Sequence, residues 1–444
     1  MYKKIALATL LLFSLNTLNA NYVLTPSKRA KSKIDHMPKG VVADMKKIPQ
    51  DPAFYAKQIN PMSKSKQAKL DKEFNKKYFK PWSLRRLDIP KKDFGWEIRF
   101  ITKGKIYKER GQVIPSSVYK RWINNAQFHK KDTIKQYGIT TKRTNVKAFP
   151  TSTAFYRDPK RIGEGFPFDY NQNSALHINV PLYISHYSKD KKWAYVRASY
   201  SFGWVKVSDL AIVDKTFIKQ FKTGTYAMTI KDNLHLLNKK NRAVTLVKLG
   251  ALFPIAKDNK SYLTAIRNSK AKAEIQRVDV ASANIIARKP LPFTSKNVAR
   301  LAKEFYNEPY GWGGSYECRD CSATTRDFLG PFGIFLRRNS SKQALDGKST
   351  NIKNIPKTAK KKKIIQKAEP FRSLLYVPGH IVLYMGEYKG EPVIMHTYWG
   401  VRKNNGSKLV TARTIITTTE PGKERRDIRE KSKLINTLKT IVNF

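Results

Sequence analysis

Two cysteines in 444 residues, three positions apart at Cys318 and Cys321, leave this fold nothing to be stapled with. A chain of this length exceeds one ordinary core, so it is expected to divide into two to four domains. Each must stand on its own apolar packing, without a disulfide framework. The material is present: 41% of residues are hydrophobic and 11% aromatic, unlike a disordered polycation. The cysteine pair therefore asks for a chemical explanation. It reads as a redox couple, as half of a metal site, or as a single nucleophile, Cys321, with an incidental neighbour.

The chain opens MYKKIALATLLLFSLNTLNA. Basic Lys3 and Lys4, an apolar run over residues 5–15 and small Ala20 have the layout of a secretory signal, so residues 1–20 are predicted to be removed on export. No later run approaches the ~20 apolar residues of a membrane span, and no cysteine follows the cleavage region to carry lipid. An exported, soluble protein of the periplasm or cell envelope is expected, with no transmembrane anchor. The formal net charge is +54, which predicts attraction to a polyanion. Export argues against nucleic acid and for an anionic wall. The plain alternative is a lysine richness shared by the whole proteome.

Residues 21–136 are lysine-rich and helix-leaning, with short apolar stripes broken by prolines. From Tyr137 the texture changes to short β-rich runs, such as HINVPLYISHYS and KWAYVRASYSFGWVKVSDLAIV, separated by Asp, Asn, Gly and Ser. That spacing predicts a small barrel or sandwich. A second, less regular β-rich stretch covers residues 216–287. From residue 290 the pattern is mixed. SKNVARLAKEFY puts Val298, Leu301, Ala302 and Phe305 on one helical face, with Ser295 as the predicted cap. LLYVPGHIVLYMGEYKGEPVIMHTYWG reads as three strands, and KTAKKKK (357–363) as a solvated surface loop.

Asp320 is placed to cap a helix that starts at Cys321 and stops at Gly330-Pro331. A thiol at a helix N-terminus is expected to titrate at ~3.5–7.5, below the usual ~8.5. Such a nucleophile needs a base, and the base an orienting group. His380 and His396 lie downstream in apolar strands; a histidine there is more often packing than chemistry. The hairpin between them sets a condition. A two-residue turn at Lys389-Gly390 with regular pairing puts the two histidines on opposite faces. They share a face only if the connection is odd-numbered or carries a bulge.

PYGWGG, RDCSATTRDFLGPFG, RNSSKQA, PGHIVLYMG and IMHTYWG, in that order, resemble the NlpC-type papain-like cysteine peptidases of bacterial cell walls. FPTSTAFYRDP, FDYNQNSAL and GWVKVSDL are similar to the bacterial Src-homology-3-like barrel fused to such enzymes, and the segment before it resembles their helical stabilising region. The resemblance implies a multidomain α+β architecture: a helical stabilising region (21–136), a first barrel (137–215), a second barrel (216–289) and a papain-like catalytic domain (290–444). It implies a cysteine endopeptidase that hydrolyses the γ-D-glutamyl bond to a diamino acid, usually diaminopimelate, in peptidoglycan stem peptides. Cys321 would be the nucleophile, His380 the base and His396 the orienting third member. Tyr310 would line the site, and Asp320, Ser322 and Ser340 would hold the N-terminal side of the stem peptide. Loops of the first barrel, over residues 157–173, would dock on the groove and tune specificity. No metal or other cofactor is implied, and a monomer is expected.

Two departures stand out. Arg337 precedes Arg338 where the family usually has proline, and Cys318 sits where no cysteine is expected. A redox Cys-x-x-Cys normally follows a strand in a thioredoxin-like pattern, which GWGGSYE is not, and zinc would need a second ligand pair that does not occur. The nucleophile is therefore the preferred reading. A Cys318–Cys321 disulfide that silences the thiol is the sharper alternative to a passive, packed Cys318. The rival functions are an acyl transferase using the same thiol, and a wall-binding protein whose barrels matter more than its chemistry.

Overall fold

The computed structural model describes residues 21–161 and 163–444; the secretory signal read over residues 1–20 lies outside them. Among the described residues no helix is long and apolar enough to cross a membrane. The architecture is multidomain α+β, with helices first, then curled sheets, then a mixed C-terminal part.

The first β-rich stretch closes into a seven-stranded antiparallel sheet, in the order Gln172–Leu176, Thr144–Lys147, Phe202–Lys206, Trp193–Ala198, Pro181–Tyr187, Gln136–Thr140, Leu210–Val213. Alternation along its strands sends Leu182, Ile184, Ala194 and Val196 into the barrel. Tyr183, Trp193, Tyr195 and Trp204 face outward, where Leu84, Leu87, Ile89 and Phe94 of the helical region cover them. Both faces are buried, which explains why these strands read as apolar on both sides. Gly203 lies at φ 139°, and a Cβ there would stand 2.7 Å from the Lys147 carbonyl oxygen, so the crossing of these two strands requires glycine.

The second β-rich stretch divides into a five-stranded and a three-stranded sheet. The middle strand of the larger one is Tyr22–Pro26, at the front of the region expected to be helical. It pairs antiparallel with Leu234–Asn238 and parallel with Ala273–Val280. A five-residue apolar run carries no sign of a partner more than 200 residues away, so only the assembled sheet reveals it.

The helical region is welded to both β-rich stretches. Helix Lys64–Tyr78, capped by Ser63, delivers Phe74 and Tyr78, followed by Phe79 and Trp82, into a shared aromatic core with Phe217, Phe221 and Tyr226. Trp82 Nε1 donates to the Gly138 carbonyl at 2.8 Å, and Tyr78 Oη to that of Asn179 at 3.1 Å.

Glu97 lies at this junction, 1% exposed, and neither carboxylate oxygen has a hydrogen-bond partner. Burial pushes its carboxyl up to about 8, against the opposing pull of its own backbone N–H and of Arg99. Between the unfolded value of 4.5 and about 8, the folded state therefore holds one proton more than the unfolded chain. This contribution is full below pH 4.5 and is lost as pH rises to about 8, by roughly 1.4 kcal/mol per unit. Urea midpoints of Glu97→Gln from pH 5 to 8 should lose this slope; an unchanged slope means that Glu97 is not its source.

In the C-terminal part a six-stranded antiparallel sheet runs Lys348–Asn351, Thr440–Asn443, Ser373–Val377, His380–Tyr388, Glu391–Arg402, Lys408–Thr418. Helix Ser295–Phe305 buries the four expected residues, but its cap is Thr294, whose hydroxyl accepts from the Asn297 N–H. The lysine run expected as a loop is helix Lys357–Lys367. Lys360 is buried and donates to the carbonyls of Ile435 (2.9 Å) and Leu438 (3.1 Å), and Lys357 and Lys361 pair with Glu420. Three of the lysines serve the fold, because a long stem packs while its amine reaches an acceptor.

One buried ionic network ties these parts together. Arg319 donates to both Glu308 oxygens (3.0 Å each), to Asp232 (2.8 Å) and to Asp327 (2.7 Å). Lys248 joins Asp232 (2.5 Å) and Glu308 (3.1 Å), and Arg326 joins Asp327 (2.7 Å). His177 of the first barrel meets Asp327 at 3.1 Å; burial pushes it down to about 4, so it stays neutral. Three cations balance three carboxylates.

Candidate active site

Helix Cys321–Leu329 is buried along its whole length, and Asp320 caps it by accepting from the Ala323 N–H at 2.9 Å. The preceding loop bears on the first barrel. A Cβ at Gly314, at φ 87°, would stand 2.7 Å from Ala175 Cβ, and one at Gly313 would press still closer on the Gln172 carbonyl oxygen. The paired glycines let the loop and the barrel strand touch backbone to backbone, and Gln172 Nε2 donates to the Gly313 carbonyl at 3.0 Å.

The hairpin has the two-residue turn, Lys389 (φ 51°) and Gly390 (φ 75°), with Tyr388 opposite Glu391. A bulge between Tyr384 and Gly386 then shifts the register, so that Leu383 faces Met395. The shift puts His380 and His396 on one face, and His380 Nε2 lies 3.1 Å from His396 Nδ1. The bulge satisfies the condition that the alternation imposes. The ladder between the two strands ends at the Leu383–Met395 pair. Beyond it, Ile381 packs in one core with Cys321, and its N–H favours the thiol's anion, so the start of the helix meets the start of the His380 strand.

One placement of the Thr417 hydroxyl proton gives the histidines a directed proton path. Thr417 Oγ1 donates its one proton to the Thr418 carbonyl at 2.8 Å. Toward His396 Nε2, 3.2 Å away, it is therefore the acceptor. His396 then carries its proton on Nε2 and accepts at Nδ1 from His380 Nε2–H. That leaves His380 Nδ1 as the basic nitrogen. Tyr398 stacks on the His396 ring at 4.6 Å and lies 5.2 Å from His380, fixing both planes. Thr417 has no sequence signal: it is one threonine in ITTTE.

The thiol does not titrate low. Burial pushes Cys321 up to about 12, assisted by the Asp320 carboxylate, while the N–H groups of Ile381 and Ser322 and the Arg338 guanidinium oppose. His380 is pushed down to about 4 by burial, against the pull of Asp320. At neutral pH the pair rests as thiol and neutral imidazole. The low-titrating thiol expected from the helix start is corrected because desolvation of a residue only 8% exposed outweighs the Ser322 N–H at that start.

Of the other expected site residues, Asp320 and Ser322 share one partner to which sequence reading assigned no role. Arg338 donates to Asp320 Oδ2 (2.6 Å) and Oδ1 (3.0 Å), to Ser322 Oγ (2.7 Å), and to Ser174 Oγ of the first barrel (2.9 Å). Burial tends to raise the Asp320 carboxyl, but Arg338 overrides it and holds the group below its ordinary value. Tyr310 is buried beside Cys321 and Asp320. Ser340 opens the short helix Ser340–Gln343, two residues past Arg338, without joining this hydrogen-bonded cluster. Phe168, from the barrel loop, packs on Tyr310 (6.3 Å), Trp312 (5.2 Å) and Trp399 (5.3 Å), so this loop does meet the site.

Both cysteines are free and buried. Cys318 Sγ lies 3.3 Å from the Tyr316 carbonyl, and burial, then Glu308, push its thiol up to about 12. No cluster of His, Cys, Asp and Glu fit to hold a metal occurs among the described residues.

Comparison with known proteins matches residues 7–130 to the N-terminal NLPC_P60 stabilising domain and residues 154–206 to an SH3 domain of the SH3b1 type. No curated protein matches. An NlpC/P60 endopeptidase from Photobacterium damselae subsp. piscicida superposes with a TM-score of 0.80 at 23% identity, over 92% of this chain and 98% of that one. An NlpC/P60 family protein from Bacillus cereus gives 0.46 at 12% identity, over 69% and 99%. The chain thus matches the NLPC_P60 stabilising domain and an SH3b1-type domain in sequence, and along nearly its whole length its fold is similar to that of an NlpC/P60 endopeptidase.

Proposed function

We propose that this protein is an exported cysteine endopeptidase that cleaves the γ-D-glutamyl bond to the diamino acid of peptidoglycan stem peptides. One observation carries the reading: helix Cys321–Leu329 packs on the strand that begins at His380, with Cys321 and Ile381 in one core, and His380 is hydrogen-bonded to His396. In the reaction, His380 Nδ1 takes the thiol proton as the sulfur attacks the carbonyl carbon. Backbone N–H groups at the start of helix Cys321–Leu329 face the developing oxyanion. The imidazolium returns its proton to the departing amine, and water then hydrolyses the thioester. Proton transfer coupled to attack suits a pair that rests neutral. The barrels and the positive charge hold the enzyme on the wall.

Purified protein incubated with muropeptides should give two fragments whose masses sum to the parent plus water. A transferase would give adducts instead, and a pure binder intact parent.

His380→Ala should lower kcat by about 10³-fold, within the span of general acid–base catalysis. His396→Ala should cost less, about 10- to 10²-fold, because it orients without accepting the thiol proton. Steady-state rates on one muropeptide rank the two; a larger loss at His396 reverses the roles.

A further inference from the structure

A cavity of about 760 Å³ opens where the helical region, the first barrel and the C-terminal part meet. Its volume lies within the ~300–1,000 Å³ usual for small-ligand sites. Arg338 forms part of its wall, and the same guanidinium holds Asp320 and Ser322 beside Cys321. Arg338 and the Asp320–Ser322 pair that it holds therefore stand between the cavity and the thiol.

The lining is chemically uneven. Trp96, Tyr200 and Phe202 supply aromatic faces from two different segments. Six of its eight charged side chains are cations. Lys80 and Arg197 are paired with Asp88, Arg337 with Asp346, and Arg338 with Asp320. Lys92 and Lys342 have no carboxylate within ion-pair distance among the described residues. Asn173 and Asn339 add amide donors. Rings beside a surplus of donors fit a ligand with flat apolar faces edged by acceptor oxygens. An N-acetylated sugar has that surface: C–H faces to lie on rings, and hydroxyl and acetamido oxygens to accept hydrogen bonds.

From this we infer that the cavity binds the amino-sugar glycan to which the stem peptide is attached, so that the preferred substrate is glycan-linked peptide and not the released peptide. The inference rests on the proposed peptidase reading for the identity of the peptide, but binding of the sugar does not require turnover.

The test uses the full mature chain with Cys321→Ala, which cannot cleave. The probe is the peptide-free disaccharide of N-acetylglucosamine and N-acetylmuramic acid, titrated by calorimetry or ligand-observed NMR. Binding is expected, and Lys92→Glu with Lys342→Glu should weaken it at least tenfold, with unchanged unfolding midpoints. No binding at millimolar disaccharide, or equal binding by the double variant, overturns the inference whatever the enzyme hydrolyses. With the active chain, disaccharide-tripeptide should exceed free tripeptide at least tenfold in kcat/KM. The double variant should lose that preference while cleaving free tripeptide at the wild-type rate. Equal kcat/KM for the two substrates in the wild type also overturns it. Failure to cleave either substrate, with sugar binding intact, sinks the peptidase reading alone.

Discussion

Cys321→Ala is expected to lower stem-peptide hydrolysis by on the order of 10³-fold or more, down to the residue left by binding and oxyanion stabilisation. The nucleophile has no substitute. Cys318 sits three residues away, but it points to the Tyr316 carbonyl and is completely buried. The buried Ser322 hydroxyl is already held by Arg338. Because the Cys321 side chain is small and lies at a helix start capped by Asp320, the alanine variant should keep the wild-type unfolding midpoint. Mass spectrometry of muropeptide digests gives the rate, and activity surviving in Cys321→Ala would end the cysteine-peptidase reading. Cys318→Ser should match wild type with and without reductant, since both thiols are free and packed apart. A reductant response confined to the wild type would revive the disulfide.

The largest stability effect is expected at Arg319. Its guanidinium serves three carboxylates at once, each buried: Asp232 of the second β-rich stretch, and Glu308 and Asp327 of the C-terminal part. Burial alone would raise the Asp232 carboxyl, yet Arg319 and then Lys248 hold it below its ordinary value. Arg319→Met leaves three carboxylates facing two cations in a place water does not reach. Removing one partner of a buried pair typically costs about 3–5 kcal/mol. Arg319→Lys should recover little, because one ammonium cannot reproduce the guanidinium fork. Urea denaturation with tryptophan fluorescence measures both variants; a loss under about 1 kcal/mol in Arg319→Met would mean that Lys248 and Arg326 suffice. Removing carboxylates should also free the segments from one another, visible as separate transitions where the wild type shows one.

Much of the site was legible in sequence because its signals are local. The apolar spacing of Val298, Leu301, Ala302 and Phe305, the Asp320 cap and the Gly330-Pro331 stop all act within one or two turns of chain, and each element forms where those residues place it. The strict alternation of strands even yielded a conditional result: two histidines 16 residues apart on a two-residue turn share a face only through a bulge, and the bulge at Met385 is there.

What the sequence could not determine depends on partners distant in the chain. Tyr22–Pro26 is a strand only because Leu234–Asn238 and Ala273–Val280 flank it. The KTAKKKK run is helical because Glu420 and the carbonyls of Ile435 and Leu438 receive its amines. Arg338, given no role in the sequence, is the group that fastens Asp320 and Ser322 to the barrel. The thiol's charge state is decided the same way. A helix start favours the anion through its free N–H groups, but burial among Tyr310, Asp320 and the sheet is a property of the assembled site, and desolvation outweighs the Ser322 N–H at that start. The sequence by itself determined which residues are candidates for the chemistry and the periodicity of the elements that bear them. Tertiary structure alone decided their protonation, their third partner Thr417 and the ionic network beneath them, because desolvation and pairing depend on neighbours that sequence order does not place together.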